Sequence, residues 1–385
     1  MPTSTPRQTL RRLTIIVAIQ WMGATLGLPL LPLFLRHRGG TPTIIGFIMA
    51  SFFVAGVATQ FFLGHLADRF GRRKILISSL VVYGVASMTF LFGVSAPWFA
   101  LTRAVQGAAA GAIEVASLSA VSALFAEAER GRAVSRILAA QLLGIAIGPI
   151  AGVLASVNDL GYAFFVTGIF SLLAAAQTVR TNLGDIAYAS PVLPKLQWNP
   201  QLIGALSAGA AGGLAIGVYE ACWSLLLHQH HASTLQIRLS WTVFSLPWVL
   251  LSGVGGWLAD HANRRFTALG GLLNGAFFLG LYPHIHNNVL LLSLGTLESV
   301  GAALSVPSIS SLLTQGAQTR ELSRRQGLYA TASTASLAIG AGVSGFLFTI
   351  DPALPFGAVA VVSVALATST LWWWRDVEGN ISLRS

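Results

Sequence analysis

Four ionisable residues lie inside long apolar stretches of the sequence: Arg103, Glu114, Glu220 and Glu298. A charge at the centre of a lipid bilayer costs on the order of 3 kcal/mol, so such residues usually face an internal cavity and mark a pathway for protons, ions or substrates. Burial disfavours the charged form of a carboxyl group, which makes a buried acid able to take up and release a proton. These four residues are therefore the candidates for a proton-coupling or substrate cavity.

Arg103 and Glu114 are eleven residues apart, a spacing that returns to nearly the same face of a helix about 16 Å further along its axis. The sequence predicts that they share a cavity face without pairing directly, so Arg103 needs other partners, either backbone carbonyls or a carboxylate on another helix. Glu220 and Glu298 fall in the second half of the chain, towards the outer ends of their predicted helices. Hydration of Glu220 and hydrogen bonding of Glu298 within the bundle are the alternatives.

The elements that carry these residues are predicted to be transmembrane helices. The composition is 54% hydrophobic and 9% charged, against roughly 25% charged in soluble proteins, and about 20 apolar residues span a bilayer as a helix. Uninterrupted apolar runs exclude a transmembrane β-barrel, in which polar and apolar residues alternate. The first run is too long for the core of a signal peptide. The predicted spans are 13–35, 43–65, 74–93, 97–126, 137–158, 160–179, 201–227, 239–259, 266–283, 288–315, 326–350 and 352–374.

The basic residues predict the orientation of these twelve spans. If both termini are cytoplasmic, all but four of the 23 Lys and Arg residues fall on the cytoplasmic side; the exceptions are Arg36, Arg38, Arg238 and the intramembrane Arg103. This agrees with the positive-inside rule. Because the charges are spread over many short loops rather than concentrated in one patch, the net charge of +10 does not indicate nucleic-acid binding.

The chain contains an internal repeat. The segment from Gly64 to Arg73 recurs from Gly256 to Arg265, with Asp68 matched by Asp260, 192 residues later. Repeats of this kind typically form two bundles around a central, alternately exposed site. The sequence predicts a six-helix bundle in residues 1–180, a cytoplasmic linker in 181–200 and a second six-helix bundle in 201–385.

Three motifs resemble those of the major facilitator superfamily, and in particular its 12-helix drug:proton antiporter family. Gly64 to Lys74 is similar to the loop signature between the second and third helices, and Arg103-Ala-Val-Gln-Gly107 is similar to the motif of the fourth helix. Gly144-Ile-Ala-Ile-Gly-Pro-Ile-Ala-Gly152 resembles the antiporter motif of the fifth helix. The resemblance implies the major facilitator fold, with twelve helices in two pseudo-symmetric bundles.

The resemblance also implies roles for the motif residues. The loop signature and its repeat would form a cytoplasmic gating latch, in which acids meet helix N-termini and Arg side chains clamp carboxylates or lipid headgroups. The gating residues are Gly64, Asp68, Arg69, Gly71, Arg72, Arg73, Asp260, Arg264 and Arg265. The fifth-helix residues Gly144, Gly148 and Gly152 form a small-residue stripe that allows close helix packing, and Pro149 beside it can bend the helix. The stripe and its Gly-Pro pair together indicate export. Acids at the positions of Glu220 and Glu298 would carry the coupling proton.

Aromatic residues on the same helices are candidates for substrate contact, since aromatic faces attract lipophilic cations. They are Trp21, Tyr219, Trp223, Trp241, Phe244, Trp248 and Tyr329. An interfacial belt is the alternative for several of them, and it is the interpretation given to Trp372, Trp373 and Trp374. The His228-Gln-His230-His231 cluster has no acid or cysteine at ligand spacing, and no metal site is predicted.

The sequence therefore predicts a proton-coupled exporter of small lipophilic or cationic compounds that works by alternating access. A proton-coupled uptake symporter for a sugar or an organic acid, a lipid-exporting transporter and a non-transporting membrane receptor are the alternatives. No enzyme activity and no cofactor are expected: the sequence has no phosphate-binding loop for ATP and nothing that resembles a nucleophile elbow. The expected partners are the small-molecule substrate, protons and the lipid bilayer, and the expected state is a monomer in the cell inner (plasma) membrane.

Overall fold

The fold is seen in a computed structural model, which describes residues 5–125, 127–153, 156–181, 183, 198–316 and 321–375. The description excludes the side chains of residues 61–70, 123, 127, 128, 130, 252 and 323. Most of the predicted linker 181–200 and the side chains of Asp68 and Arg69 therefore lie outside the described residues, as do the surroundings of Gly64.

The described chain is built from α-helices that are long and apolar enough to cross a membrane. By length and composition, eleven spans qualify in the described residues, and a twelfth is formed by α10 (Thr234–His261) if its two parts count as one span. Those parts meet at an angle of 54° between Leu251 and Gly253, where a Ser-Gly pair provides a common cause of helix kinks. The protein is a multi-pass membrane protein, and the predicted all-α fold class is confirmed.

Two compact units divide the chain, one formed by Met1–Gly40 with Ser51–Pro191 and the other by Thr41–Ala50 with Val192–Ser385. Helices of the first half are α1 Pro6–Thr25, α2 Leu31–His37, α3 Pro42–Phe70, α4 Arg72–Met88, α5 Ala96–Leu124, α6 Glu127–Ala151 and α7 Leu160–Val179. Helices of the second half are α8 Pro200–Val218, α9 Ser224–Gln229, α10, α11 Arg264–Leu281, α12 Asn288–Thr314, α13 Leu322–Ile350 and α14 Leu354–Trp373.

The helix boundaries extend the repeat that the motif indicated. Helices α3, α4 and α5 begin at Pro42, Arg72 and Ala96, and α10, α11 and α12 begin 192 residues later in each case. The α4 and α11 helices are both followed by a short 3₁₀ turn, Thr89–Phe92 and Tyr282–His284. The starts of these three helix pairs therefore follow the 192-residue repeat, and positions 192 residues apart are treated as equivalent.

The first predicted span, 13–35, is interrupted. Helix α1 starts earlier, at Pro6, and ends at Thr25; a 3₁₀ turn, Leu28–Leu30, separates it from α2. Pro29 and Pro32 lack the amide hydrogen needed to continue α-helical hydrogen bonding, which accounts for the break. In the second half, a π-helical segment, Tyr219–Trp223, joins α8 to α9.

Trp374 corrects the aromatic-belt interpretation of the C-terminal tryptophans. Its side chain is buried, packs against Gly204 on α8 and donates its indole N–H to the carbonyl of Gln201 over 3.2 Å. Trp372, by contrast, is well exposed. Trp374 is therefore a core residue of the second unit, where it packs in a cluster with Leu202, Ala205 and neighbouring residues.

Candidate functional site

A cavity of about 90 Å³ lies inside the second unit. It is bounded by the π-helical segment and by α8, α10, α12 and the turn after α11. Its lining residues are Ile216, Tyr219, Trp223, Ser240, Trp241, Phe244, Tyr282, Leu291, Leu292, Gly295 and Glu298. Four of the predicted substrate-contact aromatics, Tyr219, Trp223, Trp241 and Phe244, thus meet the predicted acid Glu298 around one space.

Glu298 is held in the cavity wall by two tyrosine hydroxyls. Tyr219 donates to one carboxylate oxygen over 2.9 Å, and Tyr282 donates to the other over 2.6 Å. The Glu298 side chain is buried, and Asn274 on α11 donates to its backbone carbonyl over 3.0 Å. Hydroxyl donors satisfy a buried carboxylate without cancelling its charge, so the group remains available to a proton or to a cation.

The aromatic rings around Glu298 contact one another. Trp223 and Tyr282 have their ring centroids 5.0 Å apart, Tyr219 and Trp223 lie 5.7 Å apart, and Tyr219 and Phe244 lie 6.0 Å apart. The indole N–H of Trp223 donates to the Ser240 hydroxyl over 2.9 Å, which fixes α8 and its π segment against α10. The result is an aromatic cage with one carboxylate in its wall, an arrangement that suits organic cations.

Trp241 adds a hydrogen-bond donor to this cage. Within the described residues its buried indole N–H has no acceptor. An unsatisfied buried donor costs about 1–3 kcal/mol, so water or a ligand with an acceptor is favoured at this wall.

Other predicted site residues of the second half lie elsewhere. Glu220 is buried in the π-helical segment but is not among the residues that line the cavity. Trp248 is not a lining residue either, and Tyr329 packs its ring against Gly209 on α8. Sequence reasoning missed Tyr282 and Gly295 as cavity residues. The available signal was the 192-residue repeat, in which Tyr282 is the equivalent of Phe90 and Gly295 is the equivalent of Arg103.

In the first unit, Arg103 and Glu114 do lie along one face of α5, and that face is packed against α3. The Arg103 guanidinium stacks 4.2 Å from the ring centroid of Phe52 and donates to Gln106 over 3.2 Å. Eleven residues further along, Glu114 accepts a hydrogen bond from Gln60 over 3.0 Å. The sequence had not identified these two contacts of Arg103, an aromatic face and an amide.

Glycines allow α3 and α5 to approach this closely. A Cβ atom added to Gly107 would collide with the backbone of Phe52, and one added to Gly111 would lie 2.7 Å from the carbonyl oxygen of Gly56. Small residues at helix interfaces permit such backbone contact in membranes. Between Arg103 and Glu114 the shared face is therefore a helix–helix seam rather than an open surface.

The predicted fifth-helix stripe also forms a seam, here between α6 and α1. A Cβ atom on Gly144 would lie 2.8 Å from the backbone nitrogen of Met22 and 2.8 Å from Cβ of Trp21, and one on Gly148 would lie 2.6 Å from the carbonyl oxygen of Met22. The close packing predicted for these two glycines is confirmed. Pro149 is inside α6, and Gly152 follows the end of the helix.

The described part of the loop motif makes equivalent contacts in the two halves. Arg73 donates to the carbonyl of Val179 at the end of α7, and Arg265 donates to the carbonyl of Arg375 just after α14, over 2.8 Å. A guanidinium is favourable there because helix C-termini carry partial negative charge. Arg73 therefore links α4 to the C-terminal end of α7, and Arg265 links α11 to the C-terminal end of α14.

The neighbouring motif residues have local roles. Gly71 adopts a positive φ of 87° just before α4, a conformation that favours glycine. Arg72 is buried. Arg264 donates to the carbonyl of Ala259 over 2.7 Å and lies 3.9 Å from the exposed carboxylate of Asp260.

Comparison with known proteins identifies the family. The sequence profile of the Major Facilitator Superfamily matches residues 13–185 and again 184–384. The chain belongs to this superfamily. It is a membrane transporter, and the predicted resemblance to the drug antiporters is confirmed by its relatives.

Two of these relatives come from Bacillus subtilis (strain 168). Multidrug resistance protein 2 is 28% identical over 163 residues, a match that covers 42% of this chain and 41% of that protein. Multidrug resistance protein 1 is 22% identical over 378 residues, covering 94% of this chain and 96% of that protein. Among solved structures, a mutant of the nucleoside transporter NupG superposes with a TM-score of 0.76 at 12% identity, covering 95% of this chain and 100% of that one. That likeness concerns the fold.

Proposed function

We propose that this superfamily member is a proton-coupled antiporter that exports small lipophilic, cationic compounds by alternating access. The observation that carries the proposal is Glu298, a buried carboxylate held by two tyrosine hydroxyls in the wall of an aromatic cavity. The full-length relative named as a multidrug resistance protein supports export. The glycine stripe of α6, with Pro149 beside Gly148, supports it further.

The coupling follows from competition at one carboxylate. A bound cation requires the ionised form of Glu298, whereas a proton arriving from outside neutralises it and releases the cation. The two loaded forms must differ in their preference for the inward-open and outward-open states, because a ligand shifts a conformational equilibrium only by its differential affinity. Inward proton flow then drives outward cation flow. Glu220, also buried, is the alternative carrier.

The Glu298→Gln substitution tests the assignment. In inverted membrane vesicles with an imposed pH gradient, adding a lipophilic cation should release protons from the lumen, which a pH-sensitive dye reports. Because an amide neither ionises nor carries a proton, we expect Glu298→Gln to abolish this substrate-induced signal. Glu114→Gln is the matched control, since Glu114 lies in the α3–α5 seam of the other unit.

Each outcome of this experiment is informative. Full coupling in Glu298→Gln together with loss in Glu220→Gln would transfer the role to Glu220. If the wild-type protein accumulates substrate in the direction of proton flow, it is an uptake symporter and the export proposal is wrong.

The proposal includes the setting of the protein. We place it in the cell inner membrane as a monomer, with both termini in the cytoplasm, on the basis of the asymmetric distribution of Arg and Lys. The loop motif, including Asp68 and Asp260, is proposed as the cytoplasmic gating latch. The caps that Arg73 and Arg265 place on α7 and α14 support this, since they couple the loop to the ends of distant helices.

A further inference from the structure

The two halves of the repeat differ at the place where the cavity lies. In the first half, Phe52, Arg103 and Gln106 form a filled site: the Arg103 guanidinium stacks over the Phe52 ring and donates to the Gln106 side chain. All of the Arg103 side chain is buried there. A planar cation thus occupies the space between an aromatic face and an oxygen acceptor.

The positions 192 residues later are Phe244, Gly295 and Glu298, and all three line the cavity. The aromatic ring is retained, the acceptor becomes a carboxylate, and the arginine is replaced by glycine. Backbone equivalence extends to this spot: Gly107 packs on the carbonyl of Phe52, and Ser299 donates to the carbonyl of Phe244. The cavity is therefore the space that an arginine side chain fills in the other half.

At Gly295, the space into which a side chain would extend is unoccupied. A Cβ atom added at Gly295 meets only the Tyr282 hydroxyl, at 3.8 Å. A second glycine, Gly275, enlarges the space: its equivalent in the first half is the buried Tyr83, which interacts electrostatically with Arg103. A Cβ atom on Gly275 would meet only a Glu298 oxygen, also at 3.8 Å. Both replacements by glycine leave room beside the carboxylate.

The charge of the site is complementary to a cation. Glu298 stands where the first half has the neutral Gln106, and no Lys, Arg or His is among the described residues that line the cavity. A volume of about 90 Å³ is small beside the roughly 300–1,000 Å³ of sites for drug-sized ligands. A space of this size fits a charged head group and not a whole ligand.

We propose that this cavity binds a guanidinium-type head group, a planar delocalised cation such as a guanidinium or an amidinium, in the position that the Arg103 guanidinium occupies in the first half. The inference rests on the proposed function in that the transported compound carries this group. A guanidinium stacks on the Phe244 ring and offers paired N–H donors to the two Glu298 oxygens, which a compact ammonium ion cannot do equally well.

Binding of phenylguanidine tests the inference directly. The purified full-length protein in lipid nanodiscs is titrated with phenylguanidine, with its neutral isostere phenylurea and with tetramethylammonium, and the readouts are the melting temperature and the tryptophan fluorescence of the cage. Phenylguanidine should raise the melting temperature, as any ligand of the native state does. Phenylurea should have no effect, and tetramethylammonium should bind at least about tenfold more weakly, a difference of about 1.4 kcal/mol.

The Gly295→Arg substitution supplies the head group from the protein itself. Its side chain should occupy the cavity as Arg103 does, so the variant should fold, melt at or above the wild-type temperature and lose phenylguanidine binding. Gly270→Arg on α11 is the matched control and should keep binding, because a Cβ atom there meets nothing within 4 Å and residue 270 does not line the cavity. Phe244→Leu should weaken phenylguanidine binding more than it weakens tetramethylammonium binding.

The outcomes separate this inference from the proposed function. Equal binding of phenylurea, or undiminished binding by Gly295→Arg, overturns the head-group assignment. If phenylguanidine does not bind while proton-coupled export of other lipophilic cations continues, the assignment fails and the exporter stands. Selective binding of phenylguanidine without any proton-coupled transport supports the site and refutes the exporter.

Discussion

At the scale of single residues, the hydrogen-bond partners of Glu298 explain how a buried acid can both bind and release a proton in a transport cycle. An arginine partner would hold the carboxylate permanently ionised, whereas tyrosine hydroxyls donate hydrogen bonds and carry no charge. Tyr282, at 2.6 Å, makes the shorter of the two bonds. Its equivalent in the first half is Phe90, a buried ring without a hydroxyl, so a phenylalanine ring is expected to fit at position 282.

The Tyr282→Phe substitution should therefore alter proton handling without disturbing packing. Losing one donor destabilises the ionised carboxylate, so the proton is retained to higher pH and the pH midpoint of transport should move upward. A hydrogen bond to a charged group contributes about 1.5–3 kcal/mol, equivalent to about one to two pH units. The pH dependence of substrate-induced proton release in vesicles measures the shift.

Tyr219→Phe removes the longer bond and should move the midpoint in the same direction by less. A downward shift in either variant would contradict the role assigned to the hydroxyls. A midpoint that stays at the wild-type value in the Tyr219, Tyr282 double variant would do so as well.

At the scale of helices, glycine stripes determine where backbones meet. The stripe on α6 was predictable from its spacing, because glycines four residues apart fall on one face. Its partner, α1, was not predictable from that spacing, since nothing in a stripe identifies the helix across from it. The break between α1 and α2 and the π-helical segment before α9 also went unpredicted, although the prolines at 29 and 32 signalled the first.

The Gly148→Ala substitution should weaken the α1–α6 seam. An added Cβ atom would collide with the Thr25 hydroxyl and lie 2.6 Å from the Met22 carbonyl oxygen, and overpacking of this kind costs typically about 1–3 kcal/mol. The melting temperature of the detergent-solubilised protein should fall.

Gly131→Ala is the control on the same helix, because a Cβ atom there meets nothing within 4 Å. That change should leave the melting temperature unchanged or raise it slightly, since alanine favours helix over glycine by about 0.5–1 kcal/mol. Equal melting temperatures for the two variants would show that the seam tolerates a methyl group.

At the scale of the whole molecule, the sequence predicted the fold better than the site. Hydrophobic run lengths and the Gly64 and Gly256 motifs specify the spans and the repeat, because lipid demands long apolar helices whatever the substrate. The energetic cost of intramembrane charge likewise identified Glu298. The cavity depends on how α8, α10, α11 and α12 pack against one another, and no local pattern encodes that. Gly295 is informative only by comparison with its equivalent, Arg103, whose side chain fills the corresponding space in the first half.

The arrangement of the whole chain across the membrane follows from the basic residues, and labelling of single cysteines tests it. The native Cys222 is buried, so a Cys222→Ser background is expected to fold and to remove residual reactivity. In that background, Lys74→Cys and His261→Cys, both exposed positions beside the two copies of the loop motif, should react with a membrane-impermeant maleimide only after the cells are permeabilised. His37→Cys and His284→Cys, exposed at the ends of α2 and of the turn after α11, should react in intact cells.

Two parallel copies of one bundle must present their motif loops on the same side, because each copy crosses the membrane an even number of times. Labelling of Lys74→Cys and His261→Cys from opposite sides would therefore contradict the parallel repeat, and with it the equivalence of Arg103 and Gly295 on which the head-group assignment depends.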